Sequence, residues 1–563
     1  MKGTDRNQLM MCSLDCFVED ESIVRVIDAF VNNVDLSEMG FARVKASKEG
    51  RPAYETKSLL GLYLYGGRNG IRSSRKLKEA CKLNVEVRWL MNGLEPDFRT
   101  ISDFRKDNID CMKKVFKAFN KKLSTILSQG FKSVDGSKFL ANNSKDNNFT
   151  ANKLDDRIEW LNQHSEEYLR QLEEMDRLDE GEEFVGQFTK EELEQKLERT
   201  LDRAKQYEAY RQHMEENNLS QLSLTDPDAK LMKSKNGYVV GYNVQTVVDS
   251  ETHLIDDFAA TNHVTDHGLL HTTLQAENPE GKIVEVTADN GYHVAEDILK
   301  CLEDGIIPHI SLPDGQSTFR LETVHEDVYV TEDEKNSTKA ESLKKCLRAG
   351  VVPTCYDEII DEVEIIEKRQ LVREEDDTTP YVTTEEMKER AAEGYFIRDP
   401  ERNIVYCPAG ATLRQKSVKK NGSTRYANKF ACRRCRYRDK CFNGKTEWKE
   451  IDFHKDCLEK ASKNWQTAAG RDAYTTQKPP RGHYETVKLV KITFRPDRTK
   501  ISERKCISEH PFGTIKRTLN SGYFLLRGLQ KVSGEFALAC FGYNLAVARN
   551  LLGYEKLMEA MAV

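Results

Sequence analysis

Phe131-Lys132-Ser133-Val134-Asp135-Gly136-Ser137-Lys138-Phe139-Leu140-Ala141-Asn142-Asn143-Ser144-Lys145 opens on a short apolar lead-in, reaches Asp135 and passes at once into a polar Gly-Ser turn. The design recurs at Ile283-Val284-Glu285-Val286-Thr287-Ala288-Asp289-Asn290-Gly291-Tyr292, where alternating apolar residues predict a strand that ends on Asp289. A carboxylate at a strand end is exposed yet rigidly held, which suits hard divalent cations. A third acid, Glu509, stands in Ser508-Glu509-His510-Pro511-Phe512-Gly513-Thr514-Ile515-Lys516-Arg517, where an amphipathic helix is predicted to begin. Taken singly, an Asp before a Gly is usually only a turn, and the chain has 92 acidic residues. Shared context is what groups these three: two strand-end Asp residues, a helical Glu, and basic residues around the last. They are read as one metal-binding triad, with the rest of the chain arranged to bring DNA to it.

With 563 residues the chain has room for roughly three or four domains, each able to bury a core. Charged residues make up 32% and mean hydropathy is -0.66, as in a soluble protein. No apolar run approaches the ~20 residues of a membrane span, and Met1-Lys2-Gly3-Thr4-Asp5-Arg6-Asn7-Gln8 is followed by no secretory apolar region. The expectation is a cytoplasmic protein with no membrane partner. Net charge is -6, which on its face argues against nucleic acid, but the distribution matters more. Residues 401–531 carry 31 Lys and Arg against 12 Asp and Glu, whereas 151–220 and 320–400 each come to about -10. One strongly basic segment is thus diluted by two acidic ones, and it runs into Glu509.

Residues 1–130 read as all-helical. A helix from Pro52 through Tyr65 is predicted to stop at Gly66-Gly67, with further helices from Ser73 to about Leu83, over Val85–Met91, and near Asp97 with Thr100 or Ser102 as cap. Arg72, Arg75, Lys76, Lys78, Arg99, Arg105 and Lys106 among these short helices suit a helix-turn-helix-like DNA-binding unit, or else the solvated face of a plain bundle. Residues 151–222 hold a long helical hairpin, broken by Gly181 and Gly186. Gly237–Asp249 alternates as a strand, and His253–Thr261 returns antiparallel to it. A helix follows Thr265-Asp266-His267-Gly268. The strand to Asp289, a helix from His293 to about Asp304 and a strand Ile306–Leu312 complete a mixed α/β sheet. The acidic runs Glu332-Asp333-Glu334 and Glu374-Glu375-Asp376-Asp377 read as loops. From Glu509 the apolar pattern gives a helix, a turn at Ser521-Gly522 and a long apolar helix. The domain scheme is then 1–130 helical; 131–315 a catalytic core interrupted by 151–222; 316–500 an insertion with a basic four-cysteine segment at 401–450; and 501–563 helices that complete the core.

Cys407, Cys432, Cys435 and Cys441 are spaced C-x24-C-x2-C-x5-C. Four thiolates so placed close a tetrahedral structural zinc site, or else remain free thiols. With zinc, Arg433, Arg434 and Arg436 would be displayed toward phosphates. Lys516 falls two helical turns after Glu509 on the same face, where it would hold a phosphate beside the metal or stand as a surface lysine.

Val134-Asp135-Gly136-Ser137-Lys138, Thr287-Ala288-Asp289-Asn290-Gly291-Tyr292 and Glu509-His510-Pro511-Phe512-Gly513-Thr514-Ile515-Lys516-Arg517 with Tyr523-Phe524-Leu525-Leu526-Arg527-Gly528 together resemble the three catalytic blocks of bacterial insertion-sequence transposases of the DDE superfamily. The stretch from Tyr54 through Thr100-Ile101-Ser102-Asp103-Phe104-Arg105 is similar to their N-terminal domain, and the cysteine cluster to a zinc-ribbon-like insert. The resemblance implies an RNase H-like core, a triad at Asp135, Asp289 and Glu509, and two Mg²⁺ (or Mn²⁺) ions. Asp135 would bridge the ions, with Asp289 and Glu509 holding one each. It also implies cleavage of transposon-end DNA, joining of the 3′-OH to target double-stranded DNA, and a homodimer in the synaptic complex. A family signature sets Tyr, Arg and Lys at fixed offsets from the Glu: Lys516 matches, the Arg offset falls on Lys505 with Arg504 beside it, and the Tyr offset on Ser502. The expected DNA contacts are therefore Lys516, Arg517, Arg504, Lys505 and the cysteine-cluster arginines. The alternative is a non-catalytic, transposase-derived DNA-binding or regulatory protein.

Overall fold

The computed structural model describes residues 12–44, 53–177, 188–217, 219–234, 237–274, 282–312, 316–373, 384–392, 394–400, 402–419, 423–435, 437–441, 448–454, 457, 459–461 and 482–562. Met1–Gln8, Gly181, Gly186, the run 374–377 and Arg436 lie outside the described residues. The chain forms two compact units, Met1–Ile365 with Val490–Val563, and Ile366–Leu489. Among the described residues no helix is long and apolar enough to cross a membrane.

The first unit opens with helices α1 (Ile23–Asn32), α2 (Thr56–Arg68), α3 (Ser74–Leu83), α4 (Val85–Leu90), α5 (Phe98–Asn108) and α6 (Met112–Ser124). The cap of α5 is Asp97, not Thr100 or Ser102: its carboxylate accepts the Arg99 N–H at 3.0 Å and so starts the helix earlier. Gly66 and Gly67 do not stop α2 but lie inside it. A Cβ on Gly67 would stand 2.5 Å from the Leu538 carbonyl oxygen, and one on Gly542 would stand 2.6 Å from the Gly67 oxygen. Glycine is used there so that two helix backbones can touch. These helices share one core with strands of the sheet and with the C-terminal helix. Phe30, Phe119 and Phe541 meet at its centre, with ring centroids 4.6 to 5.6 Å apart.

Strand β1 (Lys132–Leu140) runs straight through Asp135 rather than ending there. The Gly136-Ser137 pair that reads as a turn is held extended, because β1 pairs antiparallel with a long neighbour along its whole length. After β1 come a short strand pair, β2 (Asn148–Thr150) with β3 (Gln221–Ser223), and between them the helical hairpin α7 (Ala151–Arg177) and α8 (Lys190–Glu216). Thr189 and Glu192 cap α8 reciprocally. The sheet continues with β4 (Lys230–Ser234), β5 (Gly237–Asp249) and β6 (Ile255–Thr261). Then follow α9 (Leu270–Leu274), β7 (Val284–Ala288), α10 (Ala295–Glu303) and β8 (Ile306–Ile310). Its order is β4-β5-β1-β7-β8, with β6 also on β5. β5 is antiparallel to β1, β4 and β6, whereas β1, β7 and β8 run parallel.

The chain then makes β9 (Phe319–Val324), α11 (Glu332–Lys335), α12 (Ala340–Ala349) and β10 (Ile360–Arg373). Glu332-Asp333-Glu334 is helical, not a loop: Thr331 and Glu334 form a reciprocal capping box that supplies the turn's missing partners. The second unit contains α13 (Thr384–Ala392), strands β11 (Tyr395–Asp399), β12 (Ile404–Tyr406), β13 (Thr412–Val418) and β14 (Thr424–Ala427), short helices α14 (Lys429–Arg433) and α15 (Arg438–Cys441), then β15 (Glu450–Phe453) and β16 (Glu459–Ala461). Its antiparallel sheet has the order β15-β14-β13-β12-β11-β16, over a small core of Phe396, Val405, Leu413, Tyr426 and Phe453 beside Cys407.

β17 (Gly482–Phe494) leads into α16 (Arg498–Arg517) and α17 (Leu529–Ala562). α16 begins well before Glu509, not at it. Asp497 caps it through the Thr499 N–H at 2.8 Å, and Pro511, which would fit a helix's first turn, sits in its interior. Its start is clasped to the sheet by a buried histidine. His309 Nδ1 accepts the Asp497 N–H at 3.0 Å, so the proton sits on Nε2, which donates to Glu285 at 2.8 Å; Lys500 also bonds Glu285. Burial holds the His309 pKa below the usual imidazole value. The unfolded chain therefore takes up a proton below pH ~6.5 that the folded chain refuses, and stability present above that pH is lost as pH falls toward the folded value. His309→Gln keeps a donor and an acceptor without titrating. Urea midpoints between pH 8 and 5 should fall more steeply for the wild type than for this variant, and parallel curves would remove His309 from the pH response.

Candidate active site

The β1–β7 ladder is short, pairing only Lys132 with Val286 and Ser133 with Thr287. Beyond it the two strands part, Asp135 projects from β1, and Asp289 stands one residue past the end of β7. Asp289 is fixed as the cap of a 3-10 turn, accepting the Gly291 N–H at 2.8 Å. α16 lies across β1, β5, β7 and β8. It buries Arg504, Ile507, Ser508, Phe512 and Ile515 and leaves Glu509 exposed.

Asp135 is only 17% exposed, accepts the Gly136 N–H at 2.9 Å, and has the Arg504 guanidinium 3.8 Å away. Its carboxyl is pushed up to about 6, first by burial and then by the charges of Asp289 and Glu509; Arg504 pulls the other way. Asp289 and Glu509 are thus near enough for their charges to act on Asp135, although among the described residues no three acids stand in metal-ligating geometry. Arg504, expected among the DNA contacts, is 7% exposed and faces Asp135, whereas Lys505 is turned to solvent. Lys516 lies over the Phe139 ring and donates to Ser137 Oγ at 2.5 Å and to the Lys138 carbonyl at 2.9 Å, which ties α16 to β1; Arg517 is exposed.

Behind Asp135, on the opposite face of β1, sequence reading missed a polar layer. Lys138, Asn243 and Gln245 all donate to one oxygen of Asp266, and Tyr292 donates to Gln245. Despite burial, these donors and the Lys138 charge hold the Asp266 carboxyl below its usual value. Burial and nearby carboxylates keep the Tyr292 hydroxyl protonated. Lys138 and Tyr292 stand inside the motifs around Asp135 and Asp289. Asp266 lies in a turn-like Thr-Asp-His-Gly stretch that carries no signal of its own.

Among the N-terminal cations, Arg72 is structural. It bonds the Asn520 and Tyr523 carbonyls, pairs with Glu535 at 2.7 Å and stacks on Tyr523, and Arg105 donates to the Arg72 carbonyl at 3.2 Å. Arg75, Lys78 and Arg99 instead gather round the Phe98 ring and are exposed, as are Lys76 and Lys106.

In the second unit Cys407, Cys432, Cys435 and Cys441 line one cavity of about 30 Å³ with Phe396, Leu413 and Lys449. Burial raises the Cys407 and Cys432 thiols and takes Cys441 to about 11, and neighbouring cysteines of the set raise each further. Arg433 is described on α14 and Arg434 follows it. Among the described residues no three His, Cys, Asp or Glu side chains stand in metal-ligating geometry.

Residues 12–107 match a family described as Transposase domain (DUF772), and residues 206–545, more than half of the chain, match one described as Transposase DDE domain. The chain belongs to the DDE transposases. The second match includes Asp289 and Glu509, while Asp135 lies between the two matches. No curated protein matches the transposase. A solved structure, the piggyBac transposase synaptic complex with hairpin DNA, is similar at 9% identity over 98% of this chain and 78% of that one; its TM-score of 0.26 is too low to bear on the fold.

Proposed function

We propose that this transposase cuts DNA at the ends of its element and joins the freed 3′-OH to target DNA, with Asp135, Asp289 and Glu509 as the acids that hold the divalent ions. The observation that supports this reading is geometric: Asp135 lies half-enclosed on β1, Asp289 follows the end of the neighbouring β7, and α16, which carries Glu509, lies across both strands. The sheet supports it too. An order of β6-β5-β1-β7-β8 with β5 reversed is what an RNase H-like core requires; in it Asp135 lies on β1, and Asp289 directly follows the adjacent β7.

The donor set fits Mg²⁺ or Mn²⁺: three carboxylates, all hard oxygen, whose mutual repulsion a divalent cation relieves. Arg504 now supplies the positive charge beside Asp135, and a bound cation would take that part. When bound, such ions activate the attacking water and neutralise the leaving oxygen. The chain's own residues do the rest. The Gly136 N–H fixes the Asp135 carboxylate, and the Asp289 cap fixes the second acid. Lys516 anchors the helix that presents Glu509, and Lys505 and Arg517 offer positive charge to the DNA backbone from the same helix. Two ends must be held together for transfer, so a homodimer is the working assembly in this reading.

The test is incubation of the full chain with its own terminal DNA. Mg²⁺-dependent strand cleavage, lost in Asp135→Asn, is expected. A wild-type chain that binds but never cuts would favour a DNA-binding derivative instead.

In the second unit we assign Cys407, Cys432, Cys435 and Cys441 to a structural zinc. Thiols that raise one another's pKa around a shared cavity are what a zinc ion stabilises as thiolates. Purified protein should carry about one zinc per chain, and Cys435→Ser should lose both the zinc and the cooperative melting of residues 366–489. Equal melting with and without zinc would refute the assignment.

A further inference from the structure

Backbone pairing between β1 and β7 stops at Ser133 and Thr287, before either strand reaches its acid. Side chains on the face of the sheet away from α16 bridge the gap. Lys138, three residues after Asp135, donates to Asp266 Oδ1 at 3.0 Å. Gln245, on β5 directly opposite Gly136, donates its amide N–H to the same oxygen at 2.9 Å, and Asn243 does so at 2.7 Å. The Gln245 carbonyl oxygen in turn accepts from the hydroxyl of Tyr292, three residues after Asp289. Gln245, Asn243 and Tyr292 are wholly buried. A continuous run of hydrogen bonds thus leads from β1 to the turn that carries Asp289.

The run has no slack. Gln245 fits in one orientation only, since its carbonyl turned toward Asp266 would meet a carboxylate. A Cβ on Gly136 would lie 2.6 Å from the Gln245 amide nitrogen and 2.7 Å from Asp266 Oδ1. A Cβ on Gly291 would lie 2.9 Å from Asp289 Oδ1 and 3.8 Å from the Asp266 Cβ. The glycine after Asp135 is therefore where this layer presses on the main chain, and at Gly291 the layer is in van der Waals reach beside Asp289.

We propose that Asp266, Gln245 and Tyr292 are positioning residues that set the separation of Asp135 and Asp289, and with it the affinity of the pair for divalent ions. The inference rests on the reading of Asp135 and Asp289 as metal ligands. Gln245 and Tyr292 are wholly buried and so out of reach of DNA. The three act as hydrogen-bonded supports behind metal ligands do, where loss of one partner lowers metal affinity or activity about 10- to 100-fold.

The experiment is Mn²⁺ binding to the full chain, followed by the electron paramagnetic resonance of free Mn²⁺, with kcat and KM for terminal DNA measured beside it. Tyr292→Phe removes one hydroxyl and keeps the ring, so the chain should fold. Its Mn²⁺ Kd should rise about tenfold or more, and kcat at fixed metal should fall while KM for DNA holds. Asp266→Ala removes the oxygen that Lys138, Asn243 and Gln245 share and should do the same. The control is Asp135→Asn. If it loses no Mn²⁺, the metal-ligand reading itself fails. If it loses Mn²⁺ while Tyr292→Phe binds like the wild type, the positioning inference alone is overturned. Variants that melt lower but keep the wild-type Kd and kcat would likewise reduce the layer to a structural one.

Discussion

Asp135→Asn should abolish strand cleavage and, in metal-free buffer, make the protein more stable. The two effects have one cause. Burial and two neighbouring carboxylates raise the Asp135 pKa to about 6, well above the ordinary Asp value. A raised acid favours folding below its unfolded pKa, and that contribution is lost as pH rises through the folded value. Above about pH 6, the charged form weakens the fold by up to about 3 kcal/mol, an upper bound set by the size of the shift. Asparagine carries no such charge. Urea unfolding at pH 7.5 without divalent ions should show the variant ahead by about 1–3 kcal/mol, and the gap should close near pH 4. Mg²⁺ should raise the wild-type midpoint and leave the variant's in place. Loss of one ligand forfeits several kcal/mol of transition-state stabilisation, so cleavage should fall on the order of 10³-fold or more. A variant that cuts normally, or that is less stable at pH 7.5, would contradict the site as built.

Phe541→Ala should give the largest loss of stability. Phe541 on α17 meets Phe30 of α1 at 5.6 Å and Phe119 of α6 at 4.6 Å, and all three are buried. Removing such a ring leaves a cavity and typically destabilises by about 3–5 kcal/mol. The location gives the prediction a sharper form. If the N-terminal helices and the sheet share one core, amides of α1, α2 and α17 should lose hydrogen-exchange protection together, with β5. Loss confined to residues before 130 would mean an N-terminal domain that folds by itself, as the sequence reading divided the chain.

That division shows where sequence reading stops. The capped short helices before residue 130 were legible because periodicity and turn residues are local. That their core is completed by residues 532–561 was not, because nothing local marks two faces as partners. Gly66-Gly67 carries the same lesson: a glycine pair reads as a stop until α17 is seen lying against it, backbone to backbone.

By itself the sequence determined the elements whose pattern repeats within a few residues. These are the alternation of Gly237–Asp249, the strand that delivers Asp289, the hairpin of α7 and α8, and the spacing of the four cysteines. A period of two or of 3.6 residues is fixed by the backbone, so it survives in the string. Tertiary structure alone decided the rest. β5 holds Gly136-Ser137 extended, so that Asp135 sits within a strand rather than at its end. The start of α16 at Arg498 turns Arg504, and not Lys505, toward that acid. Asp266 is placed behind the site by the fold of the loop after β6. Register, helix phase and the meeting of distant faces depend on the sum of contacts across the whole fold, and no short stretch of residues carries that sum.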